Sequence, residues 1–412
     1  MEKWIKNIAG VIPHTNKNVN IELEGRNLIV TGANGAGKTS FLRAVYEKTD
    51  LLIAKKKGAD LLQIEKSLKM HQDDLNRTQK GTTAFDNVAG QVKYYESQLN
   101  TIKEGLQVAI PDNINFSALY DDRKAIIRFF EEKRLSEITQ PSEAKAVSQE
   151  EEDAKKQQPS QKHANKFEQH LVNLTSRKSL AITNDNNQAL ADRIDSWFND
   201  FEKSLKILFE DDSITLRFDS DNFRFSICRD NNPPFSFQTL SAGYRAIFDI
   251  YAELIMHTEY FKVMPTDLTG VVFIDEIDSH LHVSLQRLIL PFFVNSFPKI
   301  QFVVTTHSPF VLMSTPDTVV FDLGKNEPIT EDLSYYTYSA IMKGLWDVKP
   351  ISLKLENSIK EIAQIINSEQ KDLDRLQQLI NCIKGREDVL DSESKAFYRL
   401  GLEAMEEGGR NV

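Results

Sequence analysis

Apolar residues along the chain form two kinds of pattern. The first, a short stretch of mostly apolar residues, is typical of buried strands. Short stretches rich in apolar residues occur at 27–32, 270–276, 300–307 and 318–323, and amphipathic helical patterns lie between several of them. Strands that alternate with helices predict an α/β fold with a mostly parallel sheet. Alternating apolar residues at 214–227, on both sides of a DSDN turn, predict an antiparallel β subdomain.

The second pattern is a heptad repeat, and it predicts a helical hairpin insertion at 51–109. The two apolar seams consist of Leu61, Ile64, Leu68, His71 and Leu75, and of Val88, Val92, Tyr95, Leu99, Ile102 and Leu106. Gly81 and the small polar residues around it predict the tip. Arms of about 20 residues would reach roughly 30 Å. The alternative is two ordinary helices packed on the body of the protein.

The rest of the chain divides into a compact head and two regions of different character. We assign the head to 1–50, 110–135 and 166–330, and we expect 110–135 to end in an amphipathic helix. Residues 136–165 have almost no large apolar side chain and contain an acidic run, which predicts a disordered loop. Residues 331–412 have the pattern of amphipathic helices, which either complete the head or dock a partner, and we favour docking.

The composition is that of a soluble globular protein, with 41% hydrophobic and 27% charged residues. No apolar run could span a bilayer and the N-terminus lacks the apolar centre of a signal peptide, so we expect a cytoplasmic protein outside the membrane. Cys228 and Cys382 are too few for a disulfide framework or a four-ligand zinc site. A net charge of −10 argues against a generally basic nucleic-acid-binding surface.

The most specific motif lies between the first buried strand and the helix after it. Residues 32–39 match G-x-x-x-x-G-K-S/T, the phosphate-binding loop, in its strand–loop–helix context. Glycines let backbone N–H groups turn towards phosphates, and the helix N-terminus adds positive potential. Lys38 is expected to reach the β- and γ-phosphates, and Thr39 to coordinate Mg²⁺. The expected ATP-binding residues here are Gly32, Asn34, Gly35, Ala36, Gly37, Lys38, Thr39 and Ser40.

Two further strand ends carry residues suited to hydrolysis of the bound nucleotide. At the end of 270–276, Asp275 is expected to hold the Mg²⁺ shell, and Glu276 to polarise the attacking water. His307 ends the next run, within TTHSP, where its imidazole can hydrogen-bond the γ-phosphate and that water. The predicted cofactors are therefore ATP and Mg²⁺, and the predicted catalytic residues are Glu276 and His307.

A small polar stretch at 240–246, LSAGYRA, precedes another helical pattern. By itself it is typical of an ordinary helix start with Ser241 as the N-cap. Along the chain, however, it stands between the phosphate-binding loop and the acidic strand end. A helix N-terminus with a hydroxyl and a glycine also suits a phosphate that arrives from another subunit.

The phosphate-binding loop, LSAGYRA, FIDEIDSHLH and TTHSP, in this order, resemble the ABC-type ATPase heads of the SMC, Rad50 and RecF superfamily. Within it the chain most resembles ATPases of bacterial anti-phage systems, of the overcoming-lysogenization-defect and Septu types. The resemblance covers the head and implies a head-to-head dimer around ATP. Ser241 and Gly243 of one subunit would close on the γ-phosphate held by the other, and Asp278 would lie in a loop that crosses the interface.

The chain departs from this superfamily at several positions. Tyr244 and Arg245 follow the signature glycine, which changes what the signature offers to a partner. We find no clear glutamine for γ-phosphate sensing, since Gln107 ends a heptad arm. Val283 stands where relatives of the overcoming-lysogenization-defect type often carry proline.

The sequence features of a nuclease are not found after the head. No histidine follows His307, which argues against an HNH site or an Arg/His anticodon-nuclease site there. Asp372 and Asp374 lie in a helical pattern, unlike the strand-end carboxylates of a Toprim domain. We therefore expect no intrinsic nuclease and a separate nuclease partner, of HNH type.

Three functions remain open from the sequence. The first is an ATP-hydrolysing regulatory and sensor subunit of an anti-phage complex that controls a partner nuclease. The second is a RecF- or Rad50-like repair ATPase acting directly on DNA, with a candidate basic patch at Lys55, Lys56, Lys57, Lys66 and Lys69. The third is a nucleotide-dependent dimerising scaffold with negligible hydrolysis. The overall acidity, and a hairpin without a Cys-x-x-Cys hook, favour the first.

Overall fold

The computed structural model describes residues 3–134, 138–158, 161–368 and 372–410. The chain forms two compact units, Met1–Tyr336 and Thr337–Val412. In the described part of the chain, no helix combines the length and the apolar character that crossing a bilayer requires.

The first unit contains all the strands of the described residues. In chain order they are β1 (Asn7–Val11), β2 (Asn18–Glu22), β3 (Asn27–Thr31), β4 (Gln107–Ala109), β5 (Ala125–Phe130), β6 (Thr215–Asp219), β7 (Arg224–Arg229), β8 (Asn232–Phe235), β9 (Thr269–Ile274), β10 (Ile300–Thr305), β11 (Thr318–Asp322) and β12 (Glu327–Ile329).

The helices of the first unit lie between and beside these strands. They are α1 (Lys38–Ile53), α2 (Lys57–Arg77), α3 (Thr83–Lys103), α4 (Asn113–Asp121), α5 (Val147–Lys156), α6 (Phe167–Thr183), α7 (Gln188–Phe209), α8 (Ala242–Phe261), α9 (Val283–Ser296) and α10 (Pro309–Leu312).

The central sheet has the order β12-β11-β3-β10-β9-β5 among the described residues, and only β12 pairs antiparallel. Every residue of β3 and β10 is buried, which explains why most residues of these strands are apolar. The predicted α/β fold with a mostly parallel sheet is confirmed. Because β3, β10 and β9 are neighbours, the loops after their carboxyl ends meet at one edge of the sheet.

Two antiparallel sheets flank this core. The predicted hairpin at 214–227 is confirmed as β6 and β7, with Leu216 opposite Ile227, and β8 adds a third strand. The other sheet has the order β2-β1-β4.

Strand β4 corrects the predicted boundary of the insertion at 51–109. Leu106 and Val108 are 3% and 7% exposed in the core of the first unit, so the chain returns to the head before residue 109. Gln107 lies on β4 rather than on a heptad arm, and its Nε2 donates to the carbonyl oxygen of Lys103 at 2.6 Å. Helix α1 likewise continues to Ile53, so the insertion itself is α2 and α3.

The insertion is the antiparallel helical hairpin that the heptads predict. Each arm has 21 residues and is therefore about 30 Å long. The rings of His71 and Tyr95 stack across the seam with centroids 5.3 Å apart. At the tip, Thr82 caps α3 by accepting from the Phe85 amide at 3.2 Å.

Helix α1 is tied directly to the base of this hairpin. Lys48 of α1 is 7% exposed, and its Nζ donates to the carbonyl oxygens of Ile102 and Glu104 at 2.5 and 2.9 Å. A cation at a helix C-terminus satisfies carbonyls that have no partner within the helix. The helix that follows the phosphate-binding loop and the second hairpin arm are thus joined at a buried site.

The segment at 110–135 ends in a strand, so the predicted amphipathic helix is wrong. Residues Ala125–Phe130 form β5, the neighbour of β9. Arg128, in the middle of this strand, is 3% exposed and paired with the buried Glu253 of α8 at 2.9 Å, a contact between distant parts of the sequence.

The expectation of a disordered loop at 136–165 is also wrong over α5. Val147, Glu150 and Ala154 are buried, and this narrow stripe at helical spacing packs against α6 and α8. Glu151 adds an ion pair with Lys262 at 2.8 Å. Residues 135–137 and 159–160 lie outside the described residues.

The second unit is helical, as the sequence predicts. Its helices are α11 (Tyr338–Trp346), α12 (Leu353–Asn367), α13 (Leu373–Ile383) and α14 (Ser392–Arg410). Its own small core includes Ile362, Leu376 and Ile380. Asp372 caps α13 by accepting from the Arg375 amide at 2.9 Å, and Asp374 lies in the first turn, so both carboxylates belong to a helix start.

Candidate nucleotide-binding site

The phosphate-binding loop joins β3 to α1, as predicted. Gly32 has φ +140, and a Cβ there would lie 2.9 Å from the backbone nitrogen of Gly324. Gly37 has φ +97 directly before the first turn of α1. Both positions therefore require glycine, which lets the loop curl around the N-terminus of a helix.

Lys38 is held inside this loop. Its Nζ donates to the carbonyl oxygens of Gly32 at 3.1 Å and Ala33 at 3.3 Å, and the residue is 6% exposed. Burial lowers the pKa of Lys38, while the charges of Glu276 and Asp275 oppose that shift. The charges of the acidic strand end thus act on the ammonium, at the loop where phosphates would bind.

Asp275 and Glu276 follow β9 and are fixed by the end of β10. Thr305 Oγ1 donates to Asp275 Oδ1 at 2.6 Å and accepts from the Glu276 amide at 2.7 Å. Glu276 has φ +44, a left-handed conformation that costs a residue with a Cβ about 1 kcal/mol or more. Strain of this kind persists only where neighbouring groups hold it, and Thr305 is one of those groups.

The two predicted catalytic side chains lie side by side. His307 Nε2 is 3.8 Å from Glu276 Oε1, and both side chains are 33% exposed. Burial raises the pKa of Glu276, and the charges of Glu132, Asp275 and Asp278 raise it further. Burial and then the charge of Lys38 lower the pKa of His307. At neutral pH this pairs a carboxylate of increased basicity with a neutral imidazole.

The residues present fit a nucleotide with Mg²⁺. Thr39 is exposed on the first turn of α1, and the carboxylate of Asp275 ends β9 one strand beyond β10. Hydroxyl and carboxylate oxygens are the ligands that Mg²⁺ takes in phosphate-transfer sites. Asn34 and Gly35 are exposed and Ala36, Gly37 and Ser40 partly so, which leaves the loop backbone open to a ligand.

Asp278 and the signature belong to a second cluster within the same chain. Thr306 Oγ1 donates to Asp278 Oδ1. His280 follows Asp278 by two residues, and its carbonyl oxygen would lie 2.9 Å from a Cβ added at Gly243. Gly243 is therefore buried beneath its own chain's turn, whereas Ser241 and Ala242 beside it are exposed. This contact accounts for the glycine within one subunit, whereas the resemblance implied contact with a partner.

Ser241 stands at the N-cap position of α8, but its side chain makes no capping hydrogen bond. The expectation that it caps the helix is wrong in this respect. Its hydroxyl remains exposed at the N-terminus of a 20-residue helix.

Tyr244 and Arg245 are engaged by their own subunit. The Tyr244 ring stacks on Phe209 at the end of α7, with centroids 4.2 Å apart. Arg245 Nη2 donates to the carbonyl oxygens of Gln238 and Leu240, each at 3.3 Å. The two residues that depart from the superfamily thus hold the signature in place through contacts within their own subunit.

Sequence patterns missed several residues around the site. Lys17 contacts the carbonyl oxygens of Ala36 and Leu323, and Asp322 Oδ1 accepts from the Gly324 amide at 2.7 Å. No spacing in the sequence marks these positions, because Lys17 comes from the connection between β1 and β2 and Asp322 from β11, the neighbour of β3. A third group, Arg134, comes from beyond the end of β5. Only the sheet order, which puts β5 beside β9, could have indicated it.

A known family matches residues 28–314, and its description is "AAA domain, putative AbiEii toxin, Type IV TA system". The match begins in β3 and ends just after α10. It therefore includes the three strand ends on which the candidate site is built.

Curated relatives match shorter stretches. The "Retron Ec83 probable ATPase" of Escherichia coli is 32% identical over 147 residues, which cover 34% of this chain and 27% of that protein. The "Septu protein PtuA" of Bacillus mycoides is 35% identical over 133 residues, which cover 32% of this chain and 18% of that protein. The chain thus spans less than a third of the length of these relatives.

Solved structures offer only a remote likeness. The SMC head domain from Thermotoga maritima superimposes with a TM-score of 0.34 and 11% identity, covering 78% of this chain and 94% of that chain.

Proposed function

Since the chain belongs to the AAA-domain family that matches its residues 28–314, we propose that it binds and hydrolyses ATP to regulate a separate nuclease in an anti-phage defence complex. The observation that carries the proposal is that Glu276 lies 3.8 Å from His307 at the edge of the central sheet where the loop with Lys38 also follows the end of a strand. A phosphate cradle, a carboxylate base and a neutral imidazole are the parts that γ-phosphate hydrolysis needs.

The chain's own residues divide the chemistry among themselves. On nucleotide binding, Lys38 exchanges its two loop carbonyls for β- and γ-phosphate oxygens. Glu276 accepts a hydrogen bond from the attacking water, and its raised pKa makes it a better base. His307 hydrogen-bonds the γ-phosphate while remaining neutral. Mg²⁺, when bound by Thr39 and Asp275, neutralises charge on the phosphates.

We propose further that ATP closes two copies head to head. This rests on the exposed and uncommitted hydroxyl of Ser241, which lies at the N-terminus of α8 where an anion is favoured. The γ-phosphate bound by Lys38 of one copy would meet Ser241 of the other.

The nuclease partner is inferred from the relatives. Two of them are named Septu protein PtuA and two are named retron ATPases, and these names point to defence-associated ATPases. An HNH nuclease is the partner proposed here, and the second unit is the proposed docking region.

Direct action on DNA is the weaker candidate. Within the proposed basic patch, Lys55 pairs with Asp50 at 3.1 Å and Lys56 pairs with Asp121 at 2.7 Å. These pairs offset part of the charge that phosphate binding would use. Salt-sensitive DNA binding by the isolated protein would favour this alternative.

One experiment tests hydrolysis and association together. Glu276→Gln should lower ATP turnover about 100-fold or more while keeping nucleotide affinity, because the amide cannot accept the proton. Glu47→Gln, on the exposed face of α1, is the matched control. Unchanged turnover in Glu276→Gln would refute the assigned base.

The same Glu276→Gln protein should accumulate as an ATP-bound dimer, measured by sedimentation velocity. Adding Ser241→Arg should restore the monomer, whereas Ser220→Arg at the exposed turn after β6 should not. A dimer that persists with Ser241→Arg would refute the head-to-head arrangement.

A further inference from the structure

We infer that Arg134 is a positioning residue for ATP hydrolysis, because its guanidinium fixes the backbone turn that carries Asp275 and Glu276. The inference rests on the proposed role of Glu276 as the base. Arg134 lies four residues beyond β5 and is 6% exposed.

The guanidinium contacts three consecutive carbonyls of this turn. Its Nη2 donates to the carbonyl oxygens of Asp275 and Glu276, both at 2.7 Å, and its Nη1 donates to that of Ile277 at 3.4 Å. Its Nε donates back to the Glu131 carbonyl at 3.3 Å, which orients the side chain. All these acceptors are backbone oxygens, so Arg134 fixes the conformation of the backbone in this turn.

The amides of the same turn are held from other directions. The Asp275 amide donates to the Phe130 carbonyl at 2.9 Å, the Glu276 amide to Thr305 Oγ1 at 2.7 Å, and the Ile277 amide to the Thr305 carbonyl at 3.0 Å. Strands β5 and β10 thus fix the N–H side of the turn, and Arg134 fixes the carbonyl side. Together they hold Glu276 at φ +44.

Arg134 does not owe its place to an ion pair with a described residue. In the described part of the chain its guanidinium donates to backbone carbonyls, and the charges of Asp249, Asp278 and Asp275 act on it without a hydrogen bond. Burial lowers the pKa of Arg134 to about 10, so the group remains charged at neutral pH. A buried cation whose donors all go to backbone carbonyls serves those carbonyls, since desolvating it is costly.

The planar fork of arginine suits this task better than lysine. Several donors in fixed directions can satisfy neighbouring carbonyls at once, whereas an ammonium on a flexible stem offers a point charge. Arg134→Lys therefore keeps the charge and loosens the geometry.

A matched control lies on β5 itself. Arg128 is also buried, at 3% exposed, but its guanidinium pairs with Glu253 and donates to the carbonyl oxygen of Gln161 at 3.0 Å. Arg128→Lys perturbs a buried arginine of the same region without touching that turn.

The experiment compares the two lysine variants in the full-length protein. Arg134→Lys should lower kcat at least tenfold, because a displacement of the order of 1 Å at the reacting groups can cost about 100-fold. Its KM and its affinity for a non-hydrolysable ATP analogue should stay within about twofold. Arg128→Lys should lower the melting temperature and leave kcat of the folded protein within about twofold.

A double-mutant cycle shows whether Arg134 acts through Glu276. In the Glu276→Gln background, Arg134→Lys should cause little further loss of turnover, because groups that act as a unit are not additive. A full further tenfold loss in that background would overturn the inference.

Other outcomes are equally decisive. An unchanged kcat in Arg134→Lys, or a parallel loss of analogue affinity, would overturn the inference while leaving Glu276 as the base. If Glu276→Gln itself retains turnover, the proposed function fails first. If neither Arg134→Lys nor Arg134→Gln yields folded protein, the role of Arg134 is stability alone and the inference is overturned.

Discussion

Replacing Gly243 by alanine separates two explanations for the signature glycine. A Cβ at this position would lie 2.9 Å from the His280 carbonyl oxygen and 3.5 Å from Leu281 Cδ2. The facing turn has little freedom to move, since His280 has φ +63 and the Leu281 amide donates to the Asp278 carbonyl at 3.1 Å. The added methyl group must therefore displace the turn or the start of α8.

The expected cost follows from two opposing effects. Overpacking against a backbone atom costs about 1 to 3 kcal/mol. Replacing glycine by alanine in a helix returns at most about 1 kcal/mol. We therefore expect Gly243→Ala to lower the free energy of unfolding by about 1 to 2 kcal/mol. Gly90→Ala in α3 is the control, because a Cβ there meets nothing within 4 Å, and it should raise stability by about 0.5 to 1 kcal/mol.

The assay is urea unfolding without nucleotide, followed by sedimentation of the Glu276→Gln form with ATP. Gly243→Ala should lower the unfolding midpoint and weaken ATP-dependent association, whereas Gly90→Ala should raise the midpoint and leave association intact. If Gly243→Ala is as stable as the parent without nucleotide yet fails to associate, the glycine serves only the approach of a partner. That result would refute the reasoning from His280.

Two further predictions concern pH. Because burial and the neighbouring acidic charges raise the pKa of Glu276, the acid limb of the kcat profile should lie above 4.5. Glu132→Gln removes one of the charges that raise this pKa, so it should move the limb to lower pH, and an unmoved limb would contradict the assignment. His257 is buried with its pKa lowered from 6.5 to about 3, so the unfolded chain binds the extra proton and stability falls as pH drops below 6.5. The stability gap between wild type and His257→Gln should narrow by about 2 kcal/mol from pH 7.5 to pH 5 in urea unfolding, and a constant gap would contradict the assignment.

Local sequence patterns were sufficient to predict a strand or helix wherever the environment of the segment is the same along its length. β3, β9 and β10 are buried on both faces, so their apolar runs identified them, and the heptads of α2 and α3 identified the hairpin. The failures occur where a distant residue compensates a polar one. In β5, Glu253 neutralises the buried Arg128.

Helix α5 was missed for the same reason, because a distant residue compensates a buried polar one. Its buried Glu150 lies 4.0 Å from the ring of His170, whose pKa is raised by its two glutamate neighbours despite burial. A glutamate counted as a mark of disorder in the sequence is a packed side chain in the fold.

The residues of the candidate site also fall into those that a local sequence pattern predicts and those that it does not. Lys38, Asp275, Glu276 and His307 belong to motifs whose spacing is local, and the sheet order brings their strand ends together. The donors that hold the turn do not belong to any motif. Arg134 is separated from Glu276 by more than a hundred residues, and only the pairing of β5 with β9 relates them. The role of Ser241 towards another copy stays a prediction.

The buried tie between α1 and the hairpin has a mechanical consequence. The helix that starts at the phosphate-binding loop also binds, through Lys48, the C-terminal carbonyls of the returning arm, α3. An arm of about 30 Å amplifies rotation at its root, so a tilt of α1 on the order of 10° would sweep the tip by about 5 Å. The hairpin is in this sense a lever whose root is attached about 15 Å along α1 from Lys38, and a small tilt of α1 would move its tip by several ångströms.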